Sequence, residues 1–172
     1  MNWEAIGAIG ELVGGLIVVG SLIFVGYQLR QTSMIERAKA QRDLLFQARA
    51  WVSMSSRDRE RFEAIRTCLD DFDGADAWSR EQFNSWAFDV LLLFESVIYT
   101  SKEGFVHEGS FERFEQLVLS IARTNGGRQW WDHAYHVIGT DVGDHIKARI
   151  EELGDAVTPW NELWPHMALD PE

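Results

Sequence analysis

A long apolar segment near the start of the chain is its clearest pattern. Eighteen consecutive uncharged residues, Leu12–Leu29, lie between Glu11 and Arg30, and residues 5–10 extend the run toward the N-terminus. At ~1.5 Å per residue, a helix of this length crosses a hydrocarbon core of ~30 Å. The sequence therefore predicts a transmembrane anchor over residues 1–30.

The same segment has two alternative interpretations. A signal peptide is disfavoured because the residues before the apolar run lack a basic start and no small-x-small cleavage site follows it. We therefore expect the segment to stay uncleaved. A buried helix in a soluble core is the other alternative, because Glu11 interrupts the run and glycine is frequent in it.

Flanking residues predict the orientation of the anchor. Trp3 and Tyr27 lie near its two ends, where aromatic rings prefer the headgroup level. Basic residues follow the span and none precedes it; they are Arg30, Arg37, Lys39 and Arg42. The positive-inside rule then places the N-terminus outside and residues 30–172 in the cytoplasm.

Helical spacing of apolar residues dominates the rest of the chain, and no alternating strand pattern competes with it. Residues 31–54 contain neither Gly nor Pro, which predicts a juxtamembrane helix over 31–55. Its apolar positions form a narrow seam suited to pairing with another helix: Met34, Ala38, Leu45, Ala48 and Val52. We expect an all-α protein, with a bundle of about five helices over residues 56–153.

Capping residues predict where several of these helices begin and end. Ser79 starts a capping-box pattern that opens a strongly apolar helix, and Gly104 is expected to end it. The next helix is expected to open at Ser110 and to end at Asn125–Gly127, and another begins at Trp130. The tail over residues 154–172 contains all three prolines, and we expect it to pack on the bundle as an extended segment.

Charge is distributed unevenly. The net charge of −11 combines −2 before Arg30, from Glu4 and Glu11, with +4 over Arg30–Arg66 and −13 from Thr67 to the end. The basic part adjoins the predicted membrane surface, where each Lys or Arg near anionic lipid contributes ~1 kcal/mol. The acidic part is repelled by nucleic acid, so no nucleic-acid partner is expected. The single Cys68 excludes an intrachain disulfide framework and fits a reducing cytoplasm.

Four strings carry a resemblance to a known group of proteins. They are WEAIGAIGELVGGLIVV at the start, YQLRQTS at the exit from the span, FESVIY, and NGGRQWW followed by an acidic helix. Together they resemble a broad family of small uncharacterised bacterial proteins with an N-terminal membrane helix and a helical cytoplasmic domain. The resemblance extends to about residue 153 and implies this architecture, with a bacterial inner membrane as the expected location, but it implies no activity. The exit departs from the family pattern, because Gln31, Thr32 and Ser33 contain no Asn.

Glu11 is the first candidate functional residue, since an ionisable side chain inside a membrane span is costly and generally faces protein or water. Small residues share its approximate helix face, including a GxxxG spacing that permits close helix approach; they are Gly7, Gly10, Gly14 and Ser21. These residues predict either a helix-association face or the lining of a pore. The alternative is that Glu11 lies shallow and merely ends the apolar core.

Three further groups could carry function, each with a structural alternative. Imidazoles and carboxylates in or near the last predicted helix could bind zinc or iron; they are His133, His136, Asp141, Asp144 and His145. Their spacing matches no established metal signature, which favours a surface role. A set of aromatic residues could line a ligand pocket: Trp86, Phe88, Phe94, Phe111, Phe114, Trp130 and Trp131. Their helical spacing is explained more simply if they form the core of the bundle. Glu95 is expected to face inward and to pair with Arg128, Tyr99 or Tyr135.

These observations lead to three hypotheses of function. The first is a single-pass membrane-anchored protein that acts through self-assembly or as an accessory subunit of a membrane complex. The second is a homo-oligomeric cation-conducting pore with a ring of Glu11 carboxylates. The third is a membrane-tethered ligand- or metal-binding enzyme domain. Because the sequence has no nucleotide-binding glycine loop, nucleophile elbow or paired catalytic carboxylates, it favours a role without catalysis, and no cofactor is predicted.

Overall fold

The computed structural model describes residues 3–138 and 140–163. These residues form seven α-helices and one short 3-10 turn and contain no strand, which confirms the all-α prediction. The helices are α1 (Trp3–Ser56), α2 (Arg59–Asp70), α3 (Ala77–Lys102), α4 (Glu108–Ala122), α5 (Asn125–Ala134), α6 (Thr140–Leu153) and α7 (Trp160–Leu163), with the 3-10 turn at Gly154–Ala156. The chain divides into two compact units, Met1–Lys39 and Ala40–Glu172.

The first unit contains the N-terminal part of α1, and the described side chains of residues 3–32 are all exposed. The second unit is the helical bundle. Within it, the C-terminal part of α1 is one-sided: Leu44 and Trp51 are buried, whereas Leu45 and Phe46 are exposed. The Trp51 indole stacks on Trp86 and its Nε1 donates a hydrogen bond of 2.9 Å to the Trp86 carbonyl oxygen.

Helix α3 lies at the centre of the bundle and packs against α2, α4 and α6. Its inner side chains Phe83, Phe94 and Val97 are fully buried, together with Leu119 of α4 and Ile146 of α6. Burying a large apolar side chain of this kind contributes ~1.5–3 kcal/mol. The five helices α2–α6 lie within residues 56–153, where the sequence predicts about five helices, and the C-terminal part of α1 and helix α7 also pack on their core.

The start of α3 differs from its prediction. Asp76 is the N-cap, and its carboxylate accepts hydrogen bonds from the backbone N–H groups of Trp78 and Ser79. The Ser79 hydroxyl donates to Asp76 Oδ2 at 2.6 Å, so it supports the cap instead of forming it. The prediction of a capping box at Ser79 is therefore wrong, because a carboxylate three residues earlier accepts the free backbone donors.

Gly104 has a left-handed φ of 75°, as expected for a residue that follows the end of α3. The boundaries of two further helices differ from their predictions. Ser110 lies inside α4, whose N-cap is His107. The segment Asn125–Gly127 opens α5 instead of ending α4, since Thr124 Oγ1 accepts a hydrogen bond of 2.9 Å from the Gly127 backbone. The start predicted at Trp130 is therefore five residues late.

The segment after α6 packs partly as predicted. Val157 has an extended backbone and is buried. From Trp160 the chain turns into the short helix α7, and the Trp160 ring meets Trp51 edge-on at 6.2 Å between ring centroids. An extended conformation is therefore wrong for Trp160–Leu163. The rest of the predicted tail, residues 164–172, lies outside the described residues.

Candidate functional site

Helix α1 is long and apolar enough to cross a membrane, the one such helix among the residues that the structure describes. Its most apolar eighteen-residue window has a mean hydropathy of 2.1, and none of that window is buried against the rest of the chain. The large hydrophobic side chains between Ile9 and Leu29 are 47% to 69% exposed. Their apolar surface therefore faces outward on every side of the helix.

The predicted association face lies on this exposed stretch. Glu11 is exposed, and no atom lies within 4 Å of a Cβ added at the three glycines of the face, Gly7, Gly10 and Gly14. Ser21 Oγ donates to the Ile17 carbonyl oxygen at 2.8 Å, so its hydroxyl is satisfied within its own helix. The glycine backbone is thus open to close approach by another helix.

The basic residues that follow the span are all exposed on α1. Arg42 Nε lies 3.7 Å from Asp43 Oδ1, with both side chains largely in solvent. Arg30, Arg37 and Lys39 form no ion pair with another described residue. A surface pair of this type contributes little to stability, so these cations are available to an external partner.

Glu115 of α4 is the buried acid of the bundle, a residue that the sequence analysis missed. Its side chain is 5% exposed and accepts hydrogen bonds from Arg149 Nε and Nη2, both at 3.0 Å. His145 Nε2 lies 2.7 Å from the same carboxylate. The hydrogen bond with Glu115, followed by the one that Arg149 makes with Glu152, raises the pKa of the Arg149 guanidinium above its ordinary range. The cluster therefore links α4 to α6 through the Glu115 carboxylate.

Glu95 and Arg128, predicted as a core pair, are not brought together. Glu95 is partly buried on α3 and Arg128 is exposed on α5, and no hydrogen bond or ion pair joins them in the described part of the chain. Tyr135, the alternative partner, donates to Asp144 instead at 2.9 Å. This hydrogen bond raises the pKa of the Tyr135 hydroxyl.

The candidate metal ligands also separate. His133 Nε2 lies 3.1 Å from Asp73, Asp141 lies 3.5 Å from Lys102, and His145 contacts Glu115. His136 is exposed. No group of three or more potential ligands close enough to hold a metal ion occurs among the residues described. The surface alternative therefore fits these residues better than a metal site.

The aromatic residues pack as the core of the bundle. Trp86 and Phe94 are buried, and Trp130 donates to Asn84 Oδ1 at 2.7 Å. The remaining predicted members are buried or pack against the core: Phe88, Phe111, Phe114, Trp130 and Trp131. Trp51 and Trp160 join this cluster from outside the predicted set, and Trp51 could have been found from its helical spacing to Leu44 and Ala48.

Cys68 is fully buried at the contact between α2 and α5. Burial, with a smaller contribution from the Asp76 charge, raises the pKa of its thiol to about 11. Because the thiolate is the nucleophile, this cysteine is unsuited to redox or catalytic chemistry.

Comparison with family models, curated proteins and solved structures gave no match for this chain. The family resemblance carried by the N-terminal, exit and bundle strings therefore stays a prediction. The exposed apolar helix and the surfaces of the bundle are the features that bear on function.

Proposed function

We propose that this chain is a single-pass membrane protein whose helical bundle acts through assembly, with further copies of itself or with a membrane complex. One observation carries the proposal: the most apolar stretch of α1 is wholly exposed. A helix that is hydrophobic on all sides is covered either by a protein core or by lipid. The described chain supplies no cover for this stretch, which supports the bilayer.

The assembly part of the proposal rests on the glycine face. Gly10 and Gly14 leave open space along the helix, so a second helix can approach the backbone closely. In lipid, such packing replaces the hydrophobic effect as the source of helix association. A Leu at either position fills this space and is expected to reduce the amount of oligomer in membranes.

Alkaline carbonate extraction tests the anchor. The full chain is expected to stay in the membrane pellet, and a variant lacking residues 1–30 to move to the soluble fraction with its helical circular dichroism retained. The retained fold is expected because residues 40–172 form a compact unit of their own. Release of the full chain by carbonate would refute the anchor.

Cysteine labelling tests the proposed topology, with the N-terminus outside and the bundle in the cytoplasm. Trp3→Cys and Ala77→Cys each add a thiol at an exposed position, while native Cys68 is buried. A membrane-impermeant maleimide applied to intact cells is expected to label the Trp3→Cys chain and not the Ala77→Cys chain. The reverse pattern would contradict the orientation derived from the basic residues.

Glu11 supports a second candidate function, an oligomeric cation pore. It is the one charged residue in the stretch 5–29, and its side chain is exposed. A ring of carboxylates selects cations, so Glu11→Gln is expected to keep the assembly and lower cation preference in planar-bilayer recordings. A verified wild-type oligomer that stays silent under voltage, tension and pH change would rule out the pore and leave the assembly proposal intact.

A further inference from the structure

Helix α1 presents a second exposed face inside the bundle unit. Arg42, Leu45, Phe46 and Arg49 follow the i, i+3, i+4, i+7 spacing of one helix side. Leu45 is 58% and Phe46 60% exposed, and both arginines are exposed. We call these four residues the α1 basic face. Two large apolar side chains between two cations are an unusual surface to leave in water.

Helix α3 carries a face of opposite charge. Asp89, Leu92, Glu95 and Tyr99 lie on its outer side, and Leu92 is 61% and Tyr99 49% exposed. Asp89 and Glu95 are partly buried, and neither side chain forms an ion pair within the described chain. The Lys102 ammonium lies 5.6 Å from the centre of the Tyr99 ring, at the end of this face. We call the four residues the α3 acidic face.

The two faces match in spacing as well as in charge. Arg42 and Arg49 are seven residues apart, or ~10.5 Å along a helix, and Asp89 and Glu95 are six residues apart, or ~9 Å. Arg42 and Arg49 lie on either side of Leu45 and Phe46, whereas Asp89 and Glu95 lie on either side of Leu92, with Tyr99 one turn beyond Glu95. When the faces are placed together, Leu45 and Phe46 can meet Leu92 between two pairs of opposite charges.

We propose that the α1 basic face of one copy packs on the α3 acidic face of a second copy. This inference rests on the proposed function and names the bundle surface through which assembly occurs. Pairing of two α1 basic faces would bring like charges together. Anionic lipid would satisfy the basic face but would repel the acidic face. A second copy satisfies both.

Because the faces lie on different helices, the contact is heterologous. Such contacts close into a ring when the rotation between copies permits it. Two copies can also exchange both contacts reciprocally in a closed dimer. In each arrangement every copy uses both faces, so a change on either face affects the whole assembly.

Charge reversal tests the contact in the full chain in lipid nanodiscs, with native mass spectrometry as the readout of copy number. Arg42→Glu with Arg49→Glu is expected to weaken assembly by ~10-fold or more, since like charges across an interface are strongly unfavourable. Asp89→Arg with Glu95→Arg is expected to do the same. All four changes in one chain restore opposite charges and are expected to recover assembly.

A matched control separates the effect of the interface from that of net charge. Arg57→Glu with Lys147→Glu makes the same change in net charge at exposed positions outside both faces, and assembly is expected to stay unchanged. Circular dichroism checks that each variant keeps its helix content. A control that weakens assembly as much as the change at Arg42 and Arg49 would overturn the contact and indicate a net-charge effect.

Cross-linking provides a test that needs no charge change. Leu45→Cys and Leu92→Cys chains are mixed and oxidised, and a disulfide-linked dimer is expected in the mixture but not with Leu45→Cys alone. No cross-link in the mixture would overturn the contact. A wild-type chain that is monomeric in nanodiscs would instead refute the assembly proposal itself. An oligomer unaffected by the charge reversals would refute only this interface.

Discussion

Gly126 allows a sharp test of how closely α5 approaches α2. A Cβ added at this position would lie 2.7 Å from the Cys68 carbonyl carbon and 3.0 Å from that of Leu69. Both neighbours are backbone atoms, which cannot rotate away as a side chain can. Overpacking typically costs ~1–3 kcal/mol and occasionally more. We therefore expect Gly126→Ala to lower the free energy of unfolding by ~3 kcal/mol or more.

Gly109 is a matched control, because it is the second residue of α4 as Gly126 is of α5. A Cβ at Gly109 would meet only His107 Nδ1 at 3.9 Å, an ordinary contact. Gly109→Ala is therefore expected to be neutral or to stabilise by up to ~1 kcal/mol. Urea unfolding of the detergent-solubilised chain, followed by tryptophan fluorescence, measures both variants. Equal stabilities for the two would refute the close contact between α5 and α2.

Three further predictions concern buried or capping groups. Arg149→Met should lower the free energy of unfolding by ~3–5 kcal/mol, because it leaves the buried Glu115 charge without its main partner. Glu115→Gln should lower it by only ~1–2 kcal/mol, and the opposite order in urea unfolding would refute this prediction. A hydrogen bond from Ser79 lowers the pKa of Asp76, so the ionised carboxylate stabilises the fold above pH 3.8. Asp76→Ala should therefore reduce the free energy of unfolding most at neutral pH, and the difference from the wild type should shrink as the pH falls below 3.8; unfolding measured over an acid titration checks this. Cys68, with a pKa of about 11, should resist maleimide at pH 8 until urea unfolds the chain.

Apolar spacing predicted the number and approximate extent of the bundle helices but not their ends. Helix caps depend on which of several neighbouring polar side chains reaches the free backbone donors. At α3 both Asp76 and Ser79 are suitable residue types, and the carboxylate takes the backbone bonds. At the start of α5, the glycines of the local sequence predict the end of the preceding helix. They are needed instead because Gly126 packs against the backbone of α2, a tertiary contact that local sequence does not contain.

The buried acid shows what further use of spacing could have revealed. Glu115 lies four residues after Phe111 and three before Val118, so it is on the apolar side of α4. His145 and Arg149 are four apart on α6 and reach the same carboxylate. The apolar sequence neighbours of Glu95 instead predict an inward-facing carboxylate. A carboxylate's burial depends on its helix face, and that of Glu95 also carries the exposed Leu92.

The N-terminal stretch of α1 leaves a large apolar surface exposed. Twelve large aliphatic or phenylalanine side chains are exposed there: Ile9, Leu12, Val13, Leu16, Ile17, Val18, Val19, Leu22, Ile23, Phe24, Val25 and Leu29. Full burial of such a side chain contributes ~1.5–3 kcal/mol, and these twelve are on average about 60% exposed, so covering their remaining surface contributes roughly 11–22 kcal/mol. A whole domain is typically stable by only ~5–15 kcal/mol. Whatever covers this helix therefore contributes a free energy comparable with or above the stability of a typical domain, and a bilayer can cover all sides of the helix at once.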